Sequence, residues 1–451
     1  MVHIRPRFSG VVAIGLCAGV LSVASGRCVQ AVPVLTDLAR IPNTQFSFGL
    51  GISADASTVA GYCSGGTQGT RATAWRTPTG PQNLGVVAGG TYSYSTCVNA
   101  DGSVLAGFSS TPLNAPNNEV HAARWVNGSI QEIGTLPTIG RDAYGFGVSA
   151  DGAVVVGYCS INTGAIRAFR WTSAGMVDIS PPNDGVPRTI AIGVSANGAI
   201  IAGTRGTPGV ATNAFRWTNA GGIMDLSHIT AMANANGISS NGQIAVGEED
   251  SQTGGTAVFW DALGVEHLIG SEVPYSAGAA ALYAANADGS ARGGQSGGAA
   301  FLVTDALGGV NLNTYLAQHG VDMTGWILQT VQGIAADGKS LTGYGKKNGV
   351  VTAYLLTNLP NPIGATRCGP ADIADDAGNP LPTPGPNNGV NEGDYNAFFN
   401  SFFTQQQVGS PADIGDDAGN ALPPFGAGGV NNGVNEGDYN VFLNRFFNGC
   451  G

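Results

Sequence analysis

The sequence predicts a mainly β protein: a seven-bladed β-propeller followed by a small α-helical calcium module. Three observations lead there. A turn doublet recurs through the middle of the chain, with an aromatic strand after most copies. An acidic segment near the end is duplicated, and a helical aromatic stripe follows each copy. The 451 residues include 71 Gly but only 11% charged side chains, which suits short strands and tight turns better than long solvated helices.

The doublets are Asp55-Ala56, Asp101-Gly102, Asp151-Gly152, Asn197-Gly198, Asn241-Gly242, Asp288-Gly289 and Asp337-Gly338, in steps of 46, 50, 46, 44, 47 and 49 residues. Asp-Gly or Asn-Gly between two apolar runs marks a hairpin, on the expectation that both turn positions adopt positive φ. Phe146–Ala150 and Ala153–Tyr158 would pair in this way. A third strand carries the aromatics at Thr73-Ala74-Trp75, Ala123-Arg124-Trp125, Phe169-Arg170-Trp171, Phe215-Arg216-Trp217 and Phe259-Trp260, degrading to Phe301-Leu302 and Tyr354-Leu355. A short fourth follows, as at Met176–Ile179 or Ile223–Leu226. Four strands in each repeat of roughly 45 residues is the arithmetic of a propeller blade. Small apolar inner strands suit a crowded centre, and the third-strand Trp would fill the space between blades.

The seventh unit stops at Leu356, one strand short. Val32–Leu38, ahead of the first unit, reads as a strand without a blade. Joining the two closes the ring and removes an open edge. The expected propeller therefore spans residues 32–360. The segments His121-Ala122-Ala123-Arg124-Trp125, Arg167-Ala168-Phe169-Arg170-Trp171 and Asn213-Ala214-Phe215-Arg216-Trp217 resemble the extracellular HAF repeat family. That resemblance covers about residues 45–357. It implies a secreted bacterial protein and no particular chemistry.

The first 31 residues read as a signal peptide: His3, Arg5 and Arg7, then apolar Val11–Val23, then a small-residue site at Val29-Gln30-Ala31. The apolar run is short for a membrane span, and no later segment is long enough to be one. Cleavage would leave Cys63, Cys97, Cys159, Cys368 and Cys450. Cys368 and Cys450 bracket the acidic tail and are expected to staple its ends in an oxidising compartment. The other three are odd in number, so at least one should be free.

Beyond a linker at 361–367, the segment 368–451 holds ten Asp and Glu against one Arg, Arg445. Calcium takes six to eight oxygens from carboxylates, amides and carbonyls in a loop. Reading backwards from the helix, the first copy offers Asp394, Asn391 and Asn387, with Asp372 and Asp375 or Asp376 at its opening. The second offers Asp438, Asn435, Asn431, Asp413 and Asp416 or Asp417, for about two ions in all. After the loops, Tyr395, Phe398, Phe399, Phe402 and Phe403 share one helical face. Tyr439, Phe442, Leu443, Phe446 and Phe447 share another, so each stripe can cover the other. Val390-Asn391-Glu392-Gly393-Asp394-Tyr395 and Val434-Asn435-Glu436-Gly437-Asp438-Tyr439 resemble the EF-hand-like loops of dockerin type I modules. That resemblance implies a cohesin-like or cell-surface partner. The loops are long for it, however: Asp372–Asp394 spans 23 residues and Asp413–Asp438 spans 26, the excess being Pro, Gly and Asn.

Little points to catalysis. His121, His228, His267 and His319 stand apart. Gly294-Gln295-Ser296-Gly297-Gly298 matches a nucleophile elbow, but that motif needs a strand running into a helix, and here a second strand should follow. The doublet aspartates read as turn formers, because Asn replaces two of them. No catalytic residue is therefore assigned. A net charge of −11 excludes a phosphate-backbone partner. The expected protein is secreted and non-catalytic, binding a glycan or protein with its propeller and attaching through its calcium-held tail. The alternative is a propeller-type polysaccharide lyase or glycoside hydrolase carrying a docking module. Acidic, basic or Tyr side chains converging on the channel would favour the enzyme, and a channel of Ser, Ala and Gly would favour binding.

Overall fold

The computed structural model describes residues 32–359 except 78, 113–118, 183–184, 208, 227–231, 252–253, 270–278 and 305–307. The export segment, the linker, every expected calcium ligand, Cys368, Cys450 and His228 lie outside the described residues.

Seven antiparallel units of four strands follow one another along the chain. Their inner strands are Phe46–Ile52, Ser93–Val98, Gly140–Val148, Arg188–Val194, Met232–Ile238, Ala280–Ala285 and Trp326–Ile334, which open blades 1 to 7. Blade 7 takes its fourth strand from the start of the chain. Val34–Asp37 pairs antiparallel with Val350–Thr357, with Val34 opposite Thr357 and Asp37 opposite Tyr354. The expected closure is thus present, and the edge that Val350–Thr357 would otherwise expose is covered.

The ring is fastened at its doublet end by backbone hydrogen bonds passed from blade to blade. The amide of Ala54 donates to the carbonyl of Ala100, Ala100 to Ala150, Ala150 to Ala196 and Ala196 to Ser240. Ala336 of blade 7 donates back to Ala54 at 3.1 Å. Inner strands from all seven blades line one central cavity of about 440 Å³. Closure is therefore a property of the pairing itself.

The turns differ from the two-residue hairpin expected from the doublets. Only the second doublet residue has positive φ: Ala56 at 59°, Gly102 at 75°, Gly152 at 72°. The amide of that residue donates back to a carbonyl three residues earlier, as Gly152 does to Ser149. The Asp or Asn acts through its side chain. Its Oδ1 accepts the backbone N–H two residues on, in every blade. The aspartates are turn formers as read, by a side-chain mechanism that replaces the first positive φ.

The third-strand tryptophans fill the gaps between blades. Trp125 of blade 2 packs on Ala60, Ala72, Ala74 and Leu84 of blade 1. Trp217 packs on Val154, Val156 and Ala168 of blade 3, and Trp260 on Ala202, Ala214 and Leu226 of blade 4. The Trp125 indole N–H donates to the Leu84 carbonyl at 2.9 Å, so its one polar atom is satisfied. The sequence reading places no helix inside the propeller, yet Leu312–Gln318 is one. Asn311 caps it by accepting the amides of Asn313 and Thr314, and Leu312 and Leu316 are buried against blade 7.

Candidate ligand site at the mouth of the central channel

Each inner strand carries a β-bulge at an equivalent position, and the strands of blades 3 and 7 have a second irregularity nearer their start. The register slips at Leu50, Thr96, Phe146, Ile192, Asn236, Tyr283 and Gln332. A bulge re-aims the side chain it carries, and all seven of these line the cavity. Opposite each bulge the second strand has glycine. A Cβ at Gly61 would lie 1.9 Å from the Phe48 carbonyl oxygen, and one at Gly157 would lie 1.9 Å from that of Tyr144. The same clash, at 2.0 Å or less, recurs at Gly107, Gly203, Gly247, Gly294 and Gly343. The residue after the bulge is usually glycine too, because the next inner strand passes there. A Cβ on Gly237 would lie 2.7 Å from the Tyr283 oxygen.

The channel is layered. Below the bulge residues, Ile52, Val98, Val148, Val194 and Ile334 form an apolar collar between the main cavity and a smaller one of about 100 Å³. The smaller cavity is bounded by Ala54, Ala100, Ala150, Ala196, Ser240 and Ala336. Between collar and alanines, the buried Ser53, Ser149, Ser195 and Ser239 accept the amides of Thr58, Val154, Ile200 and Ile244 and donate to the doublet side chains. Their polarity serves the turns.

Above the bulge layer, toward the end away from the doublets, the repeat breaks. The positions seven residues before and after each doublet pair across the first two strands, as Phe48 with Tyr62, Tyr94 with Phe108 and Tyr144 with Tyr158. With Tyr344 of blade 7 these rings form one continuous ribbon over four adjacent blades. Successive centroids are 4.6–5.1 Å apart, stacked within a blade and edge-on between blades. The same positions in blades 4 to 6 are Ile190 and Thr204, Asn234 and Glu248, Ala281 and Gln295. One half of the mouth is aromatic, and the other is mostly polar.

Burial pushes the phenols of Tyr62 and Tyr144 up to about 12, aided by neighbouring tyrosines. Burial, with the Glu248 carboxylate, does the same for Tyr283. Burial raises Tyr158, while Arg188 pulls the other way. Asp142, beside the ribbon's end, accepts the Val120 amide at 3.0 Å and the Ser160 hydroxyl at 3.2 Å.

Sequence reasoning did not single out the ribbon. The signal was available as Phe or Tyr seven residues either side of the first three doublets, but it was absorbed into the expectation of small inner strands. The described histidines do not converge: His121 contacts Glu132 and Glu119, His267 lies on Phe259 and against Asp261, and His319 stacks on Tyr315. Gly294–Ser296 runs within the second strand of blade 6 and continues through a turn into Ala299–Thr304, so Ser296 is a buried strand residue with no helix behind it. Cys63, Cys97 and Cys159 are all free thiols, and burial pushes Cys97 up to about 12. Among the described residues, no three His, Cys, Asp or Glu gather as a metal site.

Comparison with known proteins adds little beyond this. No protein-family model matches the chain, and no curated protein matches it in sequence. Among solved structures it is similar to TolB from Acinetobacter baumannii, at 12% identity and a TM-score of 0.39, covering 70% of this chain and 63% of TolB. An oligogalacturonate lyase in complex with manganese aligns at 12% identity and a TM-score of 0.48, over 73% of this chain and 94% of the lyase. The oligogalacturonate lyase of Vibrio parahaemolyticus aligns at 10% and 0.48, over 72% and 93%. The assignment to the β-propellers stands on the strand pairing and ring closure. No helix of the described residues is long and apolar enough to cross a membrane.

Proposed function

We infer that this is a secreted binding and display protein whose propeller takes a glycan or protein at the aromatic mouth. The carrying observation is the ribbon from Tyr344 to Tyr158, which interrupts an otherwise repeated ring and gathers hydroxyls and ring edges at the end of the channel away from the doublets. Tyr is well suited to this, giving large contact area and hydrogen bonding at low entropic cost. The cavity beneath is lined by Gly, aliphatic and amide side chains with Thr96 and the aromatic Phe146 and Tyr283, and its only titratable groups, Tyr283 and Cys97, are both held neutral. Binding of the labelled chain to glycan and protein arrays tests this. Tyr94→Ala with Tyr144→Ala should abolish the signal, and unchanged binding would refute the mouth as the site.

The acidic tail would hold about two calcium ions and attach the propeller to a cohesin-like or cell-surface protein. The duplicated oxygen ligands and paired aromatic stripes support this. Calorimetry on the full chain should show calcium heat that Asp394→Ala with Asp438→Ala removes. Equal heats would sink the ligand assignment. Non-reducing peptide mapping should join Cys368 to Cys450.

The lyase or hydrolase reading keeps one support, the charges of Arg188 and Asp142 acting in opposite directions on the Tyr158 phenol. Loss of polysaccharide viscosity on incubation with the chain would favour it.

A further inference from the structure

The bulge layer, unlike the collar below it, is chemically lopsided. Phe146 of blade 3 lines the cavity, one face of its ring stacked on Tyr158 with centroids 5.7 Å apart. In a ring of seven, the blades across from it are 6 and 7, which contribute Tyr283 and Gln332, with Asn236 of blade 5 beside them. Leu50 and Ile192 fill the walls between. One side of the cup is thus an apolar aromatic surface, and the facing side is a hydroxyl and two carboxamides.

These polar groups differ in availability. The Asn236 side-chain amide donates through Nδ2 to the Leu282 carbonyl at 3.1 Å, which fixes its orientation and leaves its oxygen able to accept. Thr96 is occupied by the Gly145 carbonyl at 2.8 Å. Gln332 has no hydrogen-bond partner among the described residues, although it is half-buried in the cup. Its amide atoms are open to water in the cup rather than buried without a partner, so a ligand can take them by displacing water. A carboxamide both donates and accepts, so it matches a hydroxyl, which does the same.

The cup holds no carboxylate, ammonium or guanidinium among its lining residues, so it offers an anionic or cationic ligand no compensation for lost water. Its volume of about 440 Å³ is that of a small-ligand pocket, and the Ile and Val collar stops deeper entry. A folded protein surface cannot enter it. A pyranose can: its axial C–H bonds carry partial positive charge and face the negative ring of an aromatic, while its equatorial hydroxyls point outward to amides.

We propose that the cup beneath the aromatic mouth is a subsite for one neutral sugar residue at the end of an oligosaccharide, its apolar face on Phe146 and its hydroxyls on Gln332, Asn236 and Tyr283. This rests on the reading of the mouth as a binding site and names the class of ligand taken there. The ribbon above would receive the sugars that follow.

The test is calorimetric titration of the full chain with neutral gluco-, manno- and xylo-oligosaccharides, alongside oligogalacturonate and a sulfated glycosaminoglycan fragment. At least one neutral series should bind, and Gln332→Leu should weaken it about tenfold, the equivalent of one net hydrogen bond. Phe146→Ala should weaken it as much or more. If Phe146→Ala does not fold, Gln332→Leu decides alone, since Gln332 makes no bond that folding requires. Neutral binding that both folded variants leave unchanged overturns the subsite. Binding only of charged glycans, still lost in Tyr94→Ala, overturns it while the mouth stands. No binding of any of these glycans overturns the subsite and leaves the mouth to the protein array.

Discussion

Ser149 and Asp151 show what single residues do here. Ser149 is fully buried, accepts the Val154 amide and donates to Asp151, which in turn accepts the Ala153 amide. Ser149→Ala would leave a buried N–H unpaired, at a cost of about 1–3 kcal/mol. A matching fall in the urea midpoint at unchanged slope should follow. Hydrogen bonds from Ser149, Ser103 and Ser53 also hold Asp151, Asp101 and Asp55 below the ordinary value of 3.8. A carboxyl whose folded pKa is depressed stabilises above its unfolded pKa, and that stability is lost as pH falls through the folded value. Acid unfolding monitored by circular dichroism should therefore set in below pH 3.8 for this group, and Asp151→Asn should blunt it. Gly157 is stricter still. Gly157→Ala drives a methyl into the Tyr144 carbonyl and should cost about 3 kcal/mol or more, read by thermal melting.

Among the elements, Val34–Asp37 has the clearest consequence. It joins residues more than three hundred positions apart in sequence, Leu35 to Leu356 and Thr36 to Leu355. Deleting it leaves the far strand of blade 7 unpaired, with a row of free backbone groups available to other chains. Size-exclusion chromatography of a variant lacking residues 34–37 should show dimers or aggregates, together with a lowered melting temperature. A monomeric variant melting like the parent would show that the ring needs no closing strand. This closure was legible because the seventh unit lacked a strand and the sequence before the first supplied one. The turns were legible in position but not in geometry, since two residues cannot reveal that a serine two positions earlier completes the fastening.

At the scale of the whole molecule the phenols carry a pH signature. Tyr62, Tyr144 and Tyr283 ionise near 12 when folded, against an ordinary value of 10, because burial disfavours the phenolate. The unfolded chain therefore releases those protons first. Their contribution to stability is intact below pH 10 and disappears between 10 and 12. Ultraviolet titration should show a delayed phenolate fraction, with alkaline unfolding across that window. Normal ionisation of all tyrosines with the fold intact would contradict the half-buried ribbon.

The repeat period, the four-strand arithmetic and the closing strand were all determined by the sequence, because each depends on local pairing rules that a repeated pattern states redundantly, whereas the count of seven blades is settled by the strand pairing. Tertiary structure alone decided that residues roughly 45–50 positions apart become neighbours around one axis. It brings Tyr344 beside Phe48, sets Phe146 across from Gln332, and makes glycine obligatory opposite every bulge. A ring turns equal sequence positions into a layer, and only in the layer do differences between the repeats become a site.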